Sequence, residues 1–248
     1  DPVRGRHFVR PRKVAAMAMQ FLLVAAFGGV CYLDRTAAFQ VMLHRPLVVA
    51  SVVGAIFGNL AAGAQVGAVL ELFYLVRLPV GASIPPDDTG AAVFGGAAAA
   101  AASSSIGLEP GNLAAILLLS VPCAEIGKVA DRFVRRMNGR IADLAVDLAE
   151  REDPRAVEHG LMAGITLFGV FGMALALLFS GVGVSLARFL LPRFGPESHF
   201  QFAALLPALP LLGAASVFSC SRTERTSPAF YLTMGCVFAS IFFFRWLG

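Results

Sequence analysis

Apolar residues fill this chain in runs long enough to cross a bilayer, and short polar stretches separate them. The first run covers 14–33 and stops at Asp34 and Arg35. A second covers 46–62 and a third 64–76, joined without a polar loop. Further runs cover 91–107, 112–130, 160–186, 200–219 and 228–247. A crossing needs about 20 apolar residues as α-helix, so the pattern predicts an all-α integral membrane protein. Short loops with Arg188 and Arg193, then Arg222 and Arg225, divide the last three runs.

The second and third runs are rich in glycine. Gly54 and Gly58 are four apart, as are Gly63 and Gly67, a spacing that lets helix backbones approach closely in lipid. The stretch 79–90, PVGASIPPDDTG, then holds three prolines, two glycines and two aspartates. It cannot be regular helix. Non-helical backbone at membrane depth is tolerated only inside protein or along a water-filled cavity. The expected architecture is a multi-span helical bundle with re-entrant or broken helical hairpins.

From Lys128 to Glu158 the chain is heavily charged. Val134, Met137, Ile141, Leu144 and Leu148 keep a helical apolar stripe, with Asp143, Asp147 and Arg151 off it. This predicts an amphipathic helix outside the hydrocarbon, against the membrane surface or a partner. Four regions follow: a basic cytoplasmic arm at 1–13, a first membrane region at 14–130, a cytoplasmic connector helix at 131–158, and a second membrane region at 159–248. The arm and the connector are the richest in Arg and Lys, which places both in the cytoplasm. An even number of crossings must then separate them, yet five apolar stretches lie between. At least one must enter and leave on the same side.

Composition sharpens this picture. Of 248 residues, 57% are apolar and only 15% are charged, against roughly a quarter charged in soluble domains. Mean hydropathy is +0.74. The net charge of +4 does not point to nucleic acid, because the basic residues sit between apolar runs. Cys31, Cys123, Cys220 and Cys236 lie in or beside apolar runs without a CxxC pair, so neither a metal site nor a disulfide frame is expected, and no cofactor. The chain begins with Asp rather than Met, so residues are expected to precede it. No small-residue cleavage site follows the first run, which reads as a retained span.

A few charges lie where lipid makes them expensive. Glu71 sits inside AVLELFYLV, and Asp87 and Asp88 sit in the broken segment nearby. Gln65 adds an amide. Together these groups would form a polar pocket suited to a neutral polyol such as a sugar, since carboxylates accept hydrogen bonds from hydroxyls. A cation or a proton relay fits as well. A purely structural account pairs Glu71 with Arg77 and has the aspartates cap a helix end. Glu125 has a ready partner in Lys128 three residues on. His44 and Arg45 before Pro46 mark an interface or a turn.

With these residues in view, the sequence resembles the membrane component IIC of the mannose/fructose/sorbose family of the bacterial phosphotransferase system. LDRTAAFQVMLHRPLVVASVVGAIFGN and GAQVGAVLELFYLVRLPVGASIPPDDTGA carry the likeness, with RIADLAVDLAEREDPRAVEHG resembling the family's connector. The resemblance is clear over 33–160; the remainder agrees in hydropathy. It implies a sugar-translocating subunit of the bacterial inner membrane, multi-pass, without catalytic residues of its own. It also implies a IID membrane subunit as partner and soluble IIB and IIA components. A phosphohistidine on IIB would phosphorylate the hexose on the cytoplasmic side. An elevator-like shift of a core against a scaffold, in homotrimeric assemblies, belongs to the same implication. Carried over by position, the sugar-binding acids fall on Glu71 and Asp87, and Gln40 matches a further polar position. Asn59 stands where members commonly carry an acid, and Arg77 where a small residue is common.

Two other classes stay open. One is a membrane regulatory or scaffold protein of an incomplete phosphotransferase system, in which the 131–158 helix would carry the function. The other is an ion-coupled small-solute carrier using the same acids. The chain has no HExxH, GxSxG or P-loop motif, so a membrane enzyme is the least favoured class.

Overall fold

The computed structural model describes residues 11–75, 84–151 and 155–220, and all regular structure among them is helical. In chain order the helices are α1 (Pro11–Thr36), α2 (Pro46–Ile56), α3 (Leu60–Tyr74), α4 (Asp88–Ser105), α5 (Pro110–Glu150), α6 (Ala156–Ser185), α7 (Pro196–Leu205) and α8 (Ala208–Cys220). A π-helical turn, Leu186–Leu190, and a 3-10 turn, Leu191–Arg193, follow α6. Pro46, Pro110 and Pro196 open their helices, where a fixed φ helps and a missing N–H costs nothing. Among the described residues four stretches are long and apolar enough to cross a membrane: Val14–Thr36, Pro110–Glu150, Ala156–Arg193 and Pro196–Ala215.

α1 and α6 lie antiparallel with their backbones nearly touching. A Cβ on Gly28 would overlap Ala176, and one on Gly172 would lie 2.5 Å from the Tyr32 Cβ. The Arg188 Nη1 reaches the Met17 sulfur at 3.5 Å near one end of the pair, and Leu33 packs on Gly169 towards the other. In lipid such pairs are held by dispersion contact rather than by hydrophobic burial, so small residues at the interface decide how close they come.

α2 and α3 form a short hairpin. Their 11 and 15 residues span about 16 and 22 Å, too little to cross a core of about 30 Å. The turn is made at Gly58, whose φ of +99° suits glycine alone. Gln20 donates to the Ile56 carbonyl at 3.0 Å, and the Phe21 and Phe57 rings meet edge-on at 5.3 Å. These contacts place the hairpin tip part-way along α1. Its open end lies beside the C-terminal end of α1, so the hairpin enters and leaves at one end of the molecule. Gly54 and Gly63 face each other across it, and a Cβ on Gly63 would overlap the Ala50 carbonyl oxygen. The glycine spacing therefore divides its work: Gly54, Gly63 and Gly67 serve contact, and Gly58 serves the turn.

α4 runs through the centre. Every residue from Thr89 to Ala102 is buried, and the helix packs against α2, α3, α5 and α6. From Gly95 to Ser105 its Ala/Gly/Ser sequence has no ridge large enough to hold those neighbours apart. A Cβ on Gly96 would lie 2.6 Å from the Ala50 carbonyl oxygen, and one on Gly183 of α6 2.5 Å from the Phe94 carbonyl oxygen.

The expected span at 112–130 and the expected connector 131–158, as far as Glu150, form one helix, and Ala156 to Glu158 already belong to α6. α5 has 41 residues, about 62 Å, roughly twice the hydrocarbon thickness. Pro122 lies inside it without ending it, and the change from apolar to charged residues changes only the environment of the helix. The far half of α5 pairs with the start of α6, Gly160 against Ala145 and Gly164 against Asn138. α7 packs on the start of α5, with the His199 backbone at Gly111, and α8 packs on α3 through Gly213 and Leu72.

Among the described residues this layout bears on the expected topology. The C-terminal end of α1, the charged half of α5 and the start of α6 share one end of the molecule. Arg12 and Lys13 stand on the first turn of α1, at the other end. The α2–α3 hairpin contributes no traverse, and α4 traverses the protein interior, so three helices, α1, α4 and α5, run between the first turn of α1 and the charged half of α5. Three is odd, so among the described residues the first turn of α1 and the charged half of α5 lie at opposite ends, and residues 1–10 of the basic arm lie outside the described residues.

Candidate functional site

The turn between the end of α1 and the start of α2 meets the start of α4, and charged side chains collect there. Asp87 is the N-cap of α4: its carboxylate accepts from the Gly90 N–H at 3.1 Å. The Tyr32 hydroxyl donates to the same carboxylate, and the Arg35 guanidinium forms an ion pair with it. Arg35 also donates to the Pro86 carbonyl at 2.9 Å and lies 3.5 Å from Asp88. The Asp87 backbone N–H donates to the Ala124 carbonyl of α5 at 2.9 Å. Asp87 is fully buried. Gly127 of α5 makes this possible, because a Cβ there would overlap the Asp87 carboxylate.

Asp34 is buried as well, and it organises the turn that follows it. Its carboxylate accepts from the backbone N–H groups of Val41 at 2.7 Å and His44 at 3.2 Å, and lies 2.7 Å from the His44 Nδ1. Phe39, Gln40 and Met42 in this turn have φ of 67°, 53° and 67°, the left-handed region that non-glycine residues seldom adopt. The hydrogen bonds to Asp34 hold the backbone in that conformation. The Thr89 hydroxyl donates to the His44 carbonyl at 3.2 Å, tying the turn to α4.

Glu71, on the last turn of α3, closes the cluster from the hairpin side. One carboxylate oxygen accepts from the Leu47 N–H at 3.2 Å, at the N-terminus of α2, where helix dipoles favour an anion. The other lies 3.5 Å from the Arg45 guanidinium, and both side chains are partly exposed. Arg77 lies outside the described residues.

The structure thus brings Asp87 and Asp88 together around Arg35, and links them to Glu71 through His44 and Arg45. Gln65 and Gln40 are exposed and stand apart from the cluster, Gln65 on the outer face of α3 and Gln40 in the left-handed turn. The sequence alone does not single out Tyr32, Asp34 and Arg35 as site residues. Asp34 and Arg35 end the first apolar run, a signal that marks a span boundary equally well. Asn59 caps α3 through the Ala62 N–H at 3.0 Å and donates to Ser103 of α4 at 2.6 Å. Glu125 meets Lys128 at 3.7 Å, as its spacing predicts. Cys31 and Cys123 are free and buried. A groove of ≈ 680 Å³ lies elsewhere, between Thr36, the charged half of α5 and the start of α6, and none of the predicted site residues lines it.

Comparison with known proteins agrees with this architecture. The family described as "PTS system sorbose-specific iic component" matches residues 18–248. The sorbose-specific EIIC component of the phosphotransferase system of Klebsiella pneumoniae is 29% identical over 157 residues, 63% of this chain and 53% of that protein. The mannose-specific EIIC component of Escherichia coli strain K12 is 30% identical over 134 residues, covering 53% of this chain and 46% of that protein. The matched part spans about half the length of these curated relatives. Among solved structures, one described only as a membrane protein has a TM-score of 0.70 at 21% identity, covering 91% of this chain and 95% of that one. A mannose transporter in complex with a microcin has a TM-score of 0.57 at 24% identity, covering 90% and 86%. Both share the fold. The family match runs through the C-terminal part, where the sequence resemblance rested on hydropathy alone. The chain is a multi-span membrane protein and belongs to the family of the sorbose-specific IIC component of the phosphotransferase system.

Proposed function

We propose that this chain is the sugar-translocating IIC subunit of a mannose-family phosphotransferase system in the bacterial inner membrane. It binds a hexose at the charged cluster and passes it inward. A IID membrane subunit works beside it, and soluble IIB and IIA components supply the phosphoryl group, so the chain itself performs no catalysis. One observation carries this reading: a set of carboxylates at the open end of a short hairpin, each matched by a basic side chain, Arg35 on Asp87 and Arg45 on Glu71. The relatives named for sorbose and mannose point the same way.

The roles within the cluster differ. Asp87 already accepts from Tyr32, Arg35 and Gly90, which leaves little lone-pair capacity for a ligand, so it positions the start of α4. Glu71 and Asp88 keep exposed carboxylate surface and are the groups that accept from sugar hydroxyls. A charge-paired site suits a neutral polyol better than a cation, which disfavours the ion-coupled carrier.

Uptake of labelled mannose and sorbose by cells expressing the complete system tests the reading. Glu71→Ala should lower uptake at least about tenfold, the loss expected when a buried polar contact to substrate goes. Unchanged uptake by this variant, with the protein present at wild-type level in the membrane, would remove Glu71 from the site. Uptake abolished by an uncoupler and indifferent to the phosphoryl donor would replace the proposal with ion coupling.

A further inference from the structure

Arg132, Arg136 and Arg140 stand four apart on α5 and are all exposed. Among the described residues none of the three makes an ion pair. Their neighbour Arg135 is engaged instead, held by Asp131 at 3.1 Å and lying 6.0 Å from the centre of the Phe168 ring. The stripe continues the outward face of the membrane-crossing part of the same helix. Val121, Ile126 and Val129 are exposed on that face before it, and Phe133 and Met137 are exposed among the arginines. Residues on the opposite side, Cys123, Ala124, Gly127 and Val134, are buried. Arginines begin, then, where the acyl-facing apolar surface starts to thin out. Asp143 and Asp147 follow on the same face, one and two turns further along. The depth agrees with the rest of the molecule, because Thr36, the last residue of α1, lines one groove with Arg135 and Asn138.

We propose that Arg132, Arg136 and Arg140 bind the phosphate headgroups of anionic phospholipids and so fix how deeply α5 sits in the bilayer. The planar guanidinium matches a phosphate through paired donors. Each basic residue near an anionic membrane surface adds to the attraction, which salt screens. An acidic protein partner would need no apolar side chains between the arginines, whereas a lipid layer solvates both.

The test uses the full chain purified in micelles containing equal amounts of phosphatidylglycerol and phosphatidylcholine, with the retained lipid counted by native mass spectrometry. Wild-type protein should retain phosphatidylglycerol preferentially, and the preference should fall as salt rises. The R132Q/R136Q/R140Q variant should lose the preference by about tenfold or more, and the corresponding triple lysine variant should keep most of it. Equal preference in wild type and glutamine variant overturns the proposal. So does a wild-type preference indifferent to salt, which needs no variant to fold. Loss of an acidic protein from the membrane fraction with lipid retention unchanged also overturns it.

Discussion

The Arg35 guanidinium is ion-paired with the Asp87 carboxylate, joining the end of α1 to the N-cap of α4 across 52 positions of sequence. Arg35→Met strands a buried carboxylate and should cost roughly 3–5 kcal/mol of stability. Adding Asp87→Asn to that variant should recover part of the loss, because the charge left alone is gone. Thermal unfolding in detergent of both single variants and the double variant measures the coupling. Additive losses would mean that the pair does not act as a unit.

Arg45 and Glu71 form the looser pair. Both side chains reach solvent, so Arg45→Ala should change stability by no more than about 1 kcal/mol. Its effect belongs on sugar handling, since it removes the positive charge beside the proposed acceptor. An apparent KM for uptake that moves severalfold, with an unmoved melting temperature, is the expected result. A large drop in melting temperature with unchanged KM would make the pair structural.

Close backbone approach within the hairpin gives a steric prediction. Gly63→Ala would set a Cβ against the Ala50 carbonyl oxygen, which is backbone and has little room to yield. A loss of about 1–3 kcal/mol, the usual cost of overpacking, should appear as a lower melting temperature. Gly181→Ala meets nothing within 4 Å and serves as the comparison. Equal behaviour of the two variants would argue against the packed α2–α3 pair.

The odd number of traverses is open to chemical labelling. Single cysteines at Arg12 and at Asp143, in a background with the native cysteines replaced, should react with a membrane-impermeant maleimide from opposite faces. Labelling of both from the same side would restore the even count that the charge distribution alone suggests.

The sequence announces some of this and conceals the rest. Run length discloses the helices, and the prolines ahead of Asp88 disclose the break before α4, because both are local properties; 88–90 open α4 itself, and 76–83 lie outside the described residues. Glu71, Asp87 and Asp88 stand out since a charge inside an apolar run is conspicuous wherever it pairs. The partners are hidden for the opposite reason: Arg35 and Tyr32 are ordinary residues at a span boundary, and only the fold carries them to Asp87. The face of Gln65 depends on which side of α3 the hairpin presents, which a glycine-rich helix does not declare by periodicity. Topology turns on a similar point. Arginine counts weigh both basic segments alike, while the number of traverses depends on whether 46–76 turns back, a question of helix length and of where Gln20 and Phe21 hold the tip.

α4 carries one more consequence. Two packed helices normally lock in register because side-chain ridges of one sit in grooves of the other. From Gly95 to Ala102 α4 is sheathed in methyl groups and hydrogens and offers almost no teeth to engage. The axial position of that stretch is therefore set from its flanks, by the Asp87 clasp with the buried Val93 and Phe94 at one end and the Asn59–Ser103 link near the other, and loosening either flank would ease sliding of the centre of the protein.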